Sequence, residues 1–212
     1  MSWALLGAAL ALGVLHILAD YQRQWPRTYV YKPAAMVCII ALAMTAGTPS
    51  DLYRWAVLTG LLLSLVGDVF LMLRPAHFLA GLSSFLLAHL AYLAAFSSRI
   101  GIVDWPSTAA AIAAGTGMLY VLWPGLGRLR APVTLYVAAI AAMVATAVSA
   151  AMSAPDPGRT AAAVGALLFM ASDACLGFAR FRRSFPAAQG FILSSYYPAQ
   201  ALIALSAGSL YG

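Results

Sequence analysis

The sequence predicts an all-α, polytopic membrane bundle of about eight spans. Of its 212 residues, 63% are hydrophobic and only 8% are charged. A water-soluble surface needs roughly 25% charged residues, and a soluble fold of this composition would expose large apolar patches. Apolar runs recur along the whole chain, separated by short segments of Pro, Gly and Arg. Together these features make lipid the solvent for most of the surface and leave no length for a separate soluble domain, so residues 1–212 are expected to form a single transmembrane domain.

The runs lie at 3–19, 33–47, 55–73, 78–97, 106–123, 131–152, 160–179 and 189–210. Most approach the ~20 residues that cross a hydrocarbon core. The second is short, with Lys32-Pro33 at its start, and reads as tilted or partly interfacial. Breakers separate the runs at Trp25-Pro26, Thr48-Pro49, Arg74-Pro75, Trp105-Pro106, Pro124-Gly125, Pro155-Asp156-Pro157-Gly158 and Phe185-Pro186. Gly60, Gly67, Gly81, Gly165 and Gly177 suit close helix packing in lipid. The first run has no charged segment before it and reads as a retained span. Cys38 and Cys175 fall within apolar runs and read as buried thiols, neither a disulfide nor a metal pair.

Basic residues give an orientation. Arg23, Arg27, Lys32, Arg74, Arg128, Arg130, Arg180, Arg182 and Arg183 fall at odd-numbered connections, and only Arg54, Arg99 and Arg159 at even ones. Basic residues favour the cytoplasmic side, so both termini are predicted to be non-cytoplasmic. The net charge of +6 is therefore a topology signal and not a nucleic-acid footprint.

The acids are all Asp, and four of them fall in connections or at a span end: Asp20, Asp51, Asp104 and Asp156. Asp68 and Asp173 lie inside apolar runs, where a charge costs ~2.5–3.5 kcal/mol on the insertion scale. Asp68 precedes Arg74 by six residues and Asp173 precedes Arg180 by seven. At ~1.5 Å rise per residue both sit roughly 9–11 Å inside the cytoplasmic boundary, on spans expected to run the same way. They are the candidate catalytic pair. Tyr196, Tyr197 and Gln200 share a face of the last span, and His89 and Tyr92 share a face of the fourth. Ser64 lies one turn from Asp68, Ser172 precedes Asp173, and Lys32 opens the second span. Against these stand plain readings. Lys32 and Asp68 would make a buried ion pair, the remaining polar residues would be helix–helix glue, and His16 with Asp20 would mark an interfacial helix end. His77 reads as a loop residue, and the five Trp as an aromatic belt.

Five segments taken in order carry a family pattern: Lys32-Pro33, Leu65-Val-Gly-Asp-Val-Phe-Leu71, Phe85-Leu-Leu-Ala-His-Leu-Ala-Tyr92, Gly165-Ala-Leu-Leu-Phe-Met-Ala-Ser-Asp-Ala-Cys-Leu176 and Tyr196-Tyr-Pro-Ala-Gln-Ala-Leu-Ile203. In register and spacing, over about 32–203, they resemble the YhhN-like lysoplasmalogenase family. Each motif alone is weak; five in register are specific. The resemblance implies a multi-pass protein of the inner (plasma) membrane. It implies hydrolysis of the vinyl ether bond of lysoplasmalogens, giving a fatty aldehyde and glycerophosphocholine or glycerophosphoethanolamine. It further implies no metal or organic cofactor, and a lysophospholipid and membrane lipid as partners.

The chemistry suits the two acids. Vinyl ethers are cleaved by slow protonation at carbon, giving an oxocarbenium ion that water attacks. Low dielectric and a neighbouring like charge both favour a neutral carboxyl, so one Asp can donate the proton while the other, ionised, stabilises the cation or activates water. The two roles are not assigned to individual Asp residues at this level. Lys32, Arg27 and Arg180 would rim the phosphate, and Lys32, His89, Tyr92, Tyr196, Tyr197 and Gln200 are the candidate substrate-binding set. Other readings are a metal-dependent lipid hydrolase needing three converging ligands, an intramembrane aspartyl protease, and a proton-coupled lipid or metabolite transporter. The Gly- and Ala-rich faces permit a dimer as readily as a monomer.

Overall fold

A computed structural model describes residues 2–45, 52–73 and 77–207. Among these residues there are eight α-helices and no strand. They are α1 (Ser2–Tyr21), α2 (Trp25–Met44), α3 (Leu52–Met72), α4 (Phe78–Ser97), α5 (Trp105–Leu122), α6 (Arg130–Ser153), α7 (Pro157–Phe181) and α8 (Ala188–Ser206). Two 3₁₀ turns, Trp123–Gly125 and Gly127–Leu129, join α5 to α6. Thr48-Pro49, Asp51 and Arg74-Pro75 lie outside the described residues.

Several expected breakers turn out to be helix starts. Pro26, Pro106 and Pro157 each occupy the first turn of a helix, where the N–H that proline lacks has no intrahelical partner in any case. Asp104 and Asp156 cap α5 and α7 by accepting from the backbone N–H of Ser107 and Arg159. Two acids that the sequence marks only as connection residues thus have a structural task.

The second helix corrects the sequence reading. It does not start at Pro33 but at Trp25, and runs for 20 residues with Pro33 inside it. An interior proline removes one helical hydrogen bond; here it is accommodated, and Lys32 moves from a helix start to two turns within α2. Lys32 is buried there, at 9% exposure.

Five segments are long and apolar enough to cross a membrane: α1, α3, α4, α7 and Gly127–Ser153, which contains α6. The remaining helices are of similar length, 20 residues in α2, 18 in α5 and 19 in α8. Two of them, α2 and α8, carry Lys32, Tyr196, Tyr197 and Gln200 on buried positions. Hydropathy averaged around a helix penalises one whose polar residues face inward.

Sequence neighbours pack as pairs, α1 with α2, α3 with α4, α5 with α6, and α7 with α8. The α8 helix also packs on α1, α2 and α3, and α6 packs on α4 and α7. Glycine permits the closest approaches. A Cβ on Gly67 would stand 2.7 Å from the Phe85 ring, and one on Gly165 would meet the Ala199 carbonyl oxygen at 2.9 Å. Gly60 likewise makes room for the Tyr92 ring. Both cysteines are free and only partly buried.

Candidate active site

A cavity of about 330 Å³ opens among α1, α2, α3, α4, α7 and α8. Asp68 from α3 and Asp173 from α7 both line it, as do Lys32 and Tyr196. The two acids picked out by their place in apolar runs therefore face one shared space.

Their surroundings differ. The Lys32 ammonium lies 2.9 Å from Asp68 Oδ1, and the Tyr196 hydroxyl donates to Asp68 Oδ2 at 2.6 Å. Both oxygens of Asp68 are thus held, one by a cation, and the residue is only 2% exposed. Asp173 receives a 2.5 Å hydrogen bond from the Tyr136 hydroxyl on Oδ2. His89 Nε2 lies 3.4 Å from the same oxygen without the alignment of a hydrogen bond. Oδ1 of Asp173 has no hydrogen-bond or ionic partner among the described residues. One acid is neutralised by a buried cation; the other has a phenol, an imidazole edge and a free oxygen.

The other expected residues stand behind the cavity wall. Tyr92 donates to Gln200 Oε1 at 2.7 Å, joining α4 to α8. The Tyr197 hydroxyl is hydrogen-bonded to His16 Nδ1 at 2.7 Å, joining α8 to α1. Phe169 packs edge-on or tilted against His89, Tyr92 and Tyr196, and Phe85 packs against Phe169 and Tyr196. These rings fix the polar side chains in a dry setting. Ser64 Oγ, Gln200 Nε2 and both His89 nitrogens are buried without a hydrogen-bond partner among the described residues. Buried polar atoms are normally satisfied, and these four, close to Tyr92, Tyr196 and the two acids, have room for a further partner.

The structure adds residues that the sequence reading passed over. Tyr136 bonds Asp173, yet a lone Tyr in an Ala- and Val-rich run gives no sequence signal. His16 and Asp20, read as an interfacial helix end, both line the cavity; their spacing of four was the available hint. Of the expected phosphate rim, Arg180 lines the cavity. Arg27 does not, its guanidinium being hydrogen-bonded to Gln24 on the exposed side. Lys32 is turned inward to Asp68. Ser172 donates to the Ile192 carbonyl and ties α7 to α8. Among the described residues no three His, Cys, Asp or Glu side chains gather at metal-binding spacing.

Comparison with known proteins agrees with the motif pattern. The YhhN family matches residues 27–207. A protein named lysoplasmalogenase from Mycobacterium bovis is 37% identical over 188 residues, covering 84% of this chain and 69% of its own. Human lysoplasmalogenase TMEM86A is 35% identical over 162 residues, 71% of this chain and 64% of its own. The membrane protein YhhN of Escherichia coli O157:H7 is 28% identical over 208 residues, 97% and 99% of the two chains. No solved structure matches. With helices apolar enough to cross a membrane and motifs that match over most of its length, the chain is a membrane protein that belongs to the YhhN family.

Proposed function

We propose that this protein hydrolyses the vinyl ether bond of lysoplasmalogens, with Asp173 as proton donor and Asp68 as its ionised counterpart. The observation that carries this reading is the unequal pairing of two acids on one cavity. Asp68 is held by Lys32 and Tyr196, an arrangement that stabilises a carboxylate. Asp173 has no lysine or arginine against it, only the Tyr136 hydroxyl and the His89 ring near Oδ2, and keeps Oδ1 free toward substrate.

In the proposed reaction, Asp173 gives its proton to the vinyl carbon distal to the ether oxygen. The double bond's electrons form the new C–H bond, and the ether oxygen stabilises the resulting oxocarbenium. The carboxylate of Asp68 opposes that positive charge. Water adds to the cationic carbon and returns a proton to Asp173. The hemiacetal then collapses to a fatty aldehyde and the glycerol hydroxyl of a glycerophospholipid headgroup. Water is the only co-reactant. The orphaned Ser64, Gln200 and His89 groups are suited to hold the water or the glycerol hydroxyl once a substrate opens the wall. Names borne by the relatives, lysoplasmalogenase among them, support the substrate class.

The reading extends to topology. All eight helices cross the inner (plasma) membrane as one domain over 1–212, with both termini non-cytoplasmic and the α1–α2 and α7–α8 connections in the cytoplasm. A lysophospholipid enters from that leaflet, its headgroup at the cavity mouth and its chain toward mid-membrane.

The test uses purified protein in detergent, a lysoplasmalogen and its saturated ether analogue, with aldehyde followed by mass spectrometry. Aldehyde from the vinyl ether alone, lost in Asp173→Asn and Asp68→Asn, supports the mechanism. Well-folded protein that releases none from any lysoplasmalogen overturns it.

A further inference from the structure

Collapse of the hemiacetal moves a proton. The new hydroxyl loses one while the departing glycerol oxygen gains one, and both oxygens sit on the same carbon. Direct transfer between them passes through a strained four-membered ring, so a group that accepts and returns a proton lowers the barrier. Asp173 has by then recovered its proton from water. Both oxygens of Asp68 are held, by Lys32 and Tyr196.

His16 of α1 meets the requirement. It lines the cavity together with both acids and is only 1% exposed. Lys32, the partner of Asp68, is near enough for its charge to act on the imidazole. His16 Nδ1 shares a 2.7 Å hydrogen bond with the Tyr197 hydroxyl, and the two rings meet edge-on at 79°. The Tyr197 ring is itself seated on α1, since a Cβ at Gly13 would stand 2.8 Å from it. The imidazole is thus oriented from α8 by one nitrogen. Its other nitrogen, Nε2, has no hydrogen-bond partner among the described residues, yet it is not sealed off as the His89 nitrogens are. A buried, oriented ring therefore keeps one free nitrogen on the cavity.

We propose that His16 is a third catalytic residue, which carries the proton from the hemiacetal hydroxyl to the glycerol oxygen as the C–O bond breaks. Nδ1–H donates to the Tyr197 oxygen, a bond that fixes the tautomer and leaves the Nε2 lone pair toward the cavity. Nε2 takes the hydroxyl proton, and the O–H electrons form the aldehyde carbonyl. The C–O pair leaves with the glycerol oxygen, which receives the proton back from Nε2. The imidazole ends as it began, and no co-reactant is consumed. Tyr197 is a positioning residue in this step. The role rests on the vinyl-ether reading above and supplies its last proton transfer.

The experiment follows single turnovers, with purified protein in excess over a lysoplasmalogen. Two signals are read: loss of the vinyl ether by its infrared band, and free aldehyde by a coupled aldehyde reductase. In wild-type protein the two are expected to coincide. In His16→Ala and His16→Gln, vinyl ether loss keeps its rate while aldehyde lags by about 10- to 100-fold. Imidazole in the buffer shortens the lag in His16→Ala, and Tyr197→Phe shows a smaller lag of the same kind. If the alanine variant does not fold, the glutamine variant, which keeps a hydrogen-bonding arm for Tyr197, carries the test. A pair that only ties α1 to α8 would slow both signals together and ignore imidazole. That result, or aldehyde arriving on time in the variants, overturns the assignment and leaves the vinyl-ether reading intact. Wild-type protein that consumes no vinyl ether overturns that reading, and the role of His16 with it.

Discussion

At the residue scale the two acids face opposite problems. Asp68 and Lys32 are buried against each other, and removing one partner strands a charge. Lys32→Ala is therefore expected to destabilise by about 3–5 kcal/mol. The Lys32→Met, Asp68→Leu double variant should unfold at a higher temperature than Lys32→Ala, although inactive; thermal unfolding in detergent reads both. Tyr136 acts through Asp173, so Tyr136→Phe should lower kcat by roughly 10- to 100-fold with little change in KM. Equal losses in kcat/KM for Tyr136→Phe and for a distant core substitution would argue for a packing role alone. Asp68 and Asp173 were legible in the sequence because a charge inside an apolar run is costly and stands out. Tyr136 was not, since its hydroxyl is one polar atom on a ring that resembles belt residues. Asp20 and His16 were visible as a helix end, which Asp20 is; that both also line the cavity shows only once the helices are packed.

At the element scale, the α7–α8 contact depends on a position without a side chain. At Gly165 a Cβ would meet backbone, the Ala199 carbonyl oxygen at 2.9 Å and the Ile203 nitrogen at 3.2 Å, neither of which can swing away. Gly165→Ala should cost about 1–3 kcal/mol and lower the unfolding temperature accordingly. Gly7, with nothing near its Cβ position, should accept alanine with no loss. Helix positions followed from the apolar runs with small end errors. The exception was α2, where two prolines seven residues apart offered two starts. Pro26 took the first turn, and the inward-facing Lys32 and surrounding packing carried the helix through Pro33.

Across the whole molecule the distribution of basic residues leads us to propose an orientation that accessibility can check. In a protein lacking Cys38 and Cys175, a cysteine at Ser184 should react with an impermeant reagent only after the cytoplasmic face is opened. One at Gly101 should react in intact cells. The opposite pattern would invert the bundle and move the cavity mouth to the other leaflet. Counting basic residues proposes which side each connection faces, because translocation reads local charge. It could not decide which helices touch, since lateral order in lipid depends on side-chain fit and not on hydropathy. The order found sets α8 against α1, α2, α3 and α7, and that has a consequence for biosynthesis. Tyr196, Tyr197 and Gln200 leave the ribosome after α1, α3 and α4, the helices that hold their hydrogen-bond partners. Until then Asp68 lacks one of its two donors, Tyr92 lacks its acceptor and His16 lacks its phenol. A bundle made only as far as α7 leaves these buried polar groups without those partners, so a chain cut before α8 is expected to be degraded faster than the full chain.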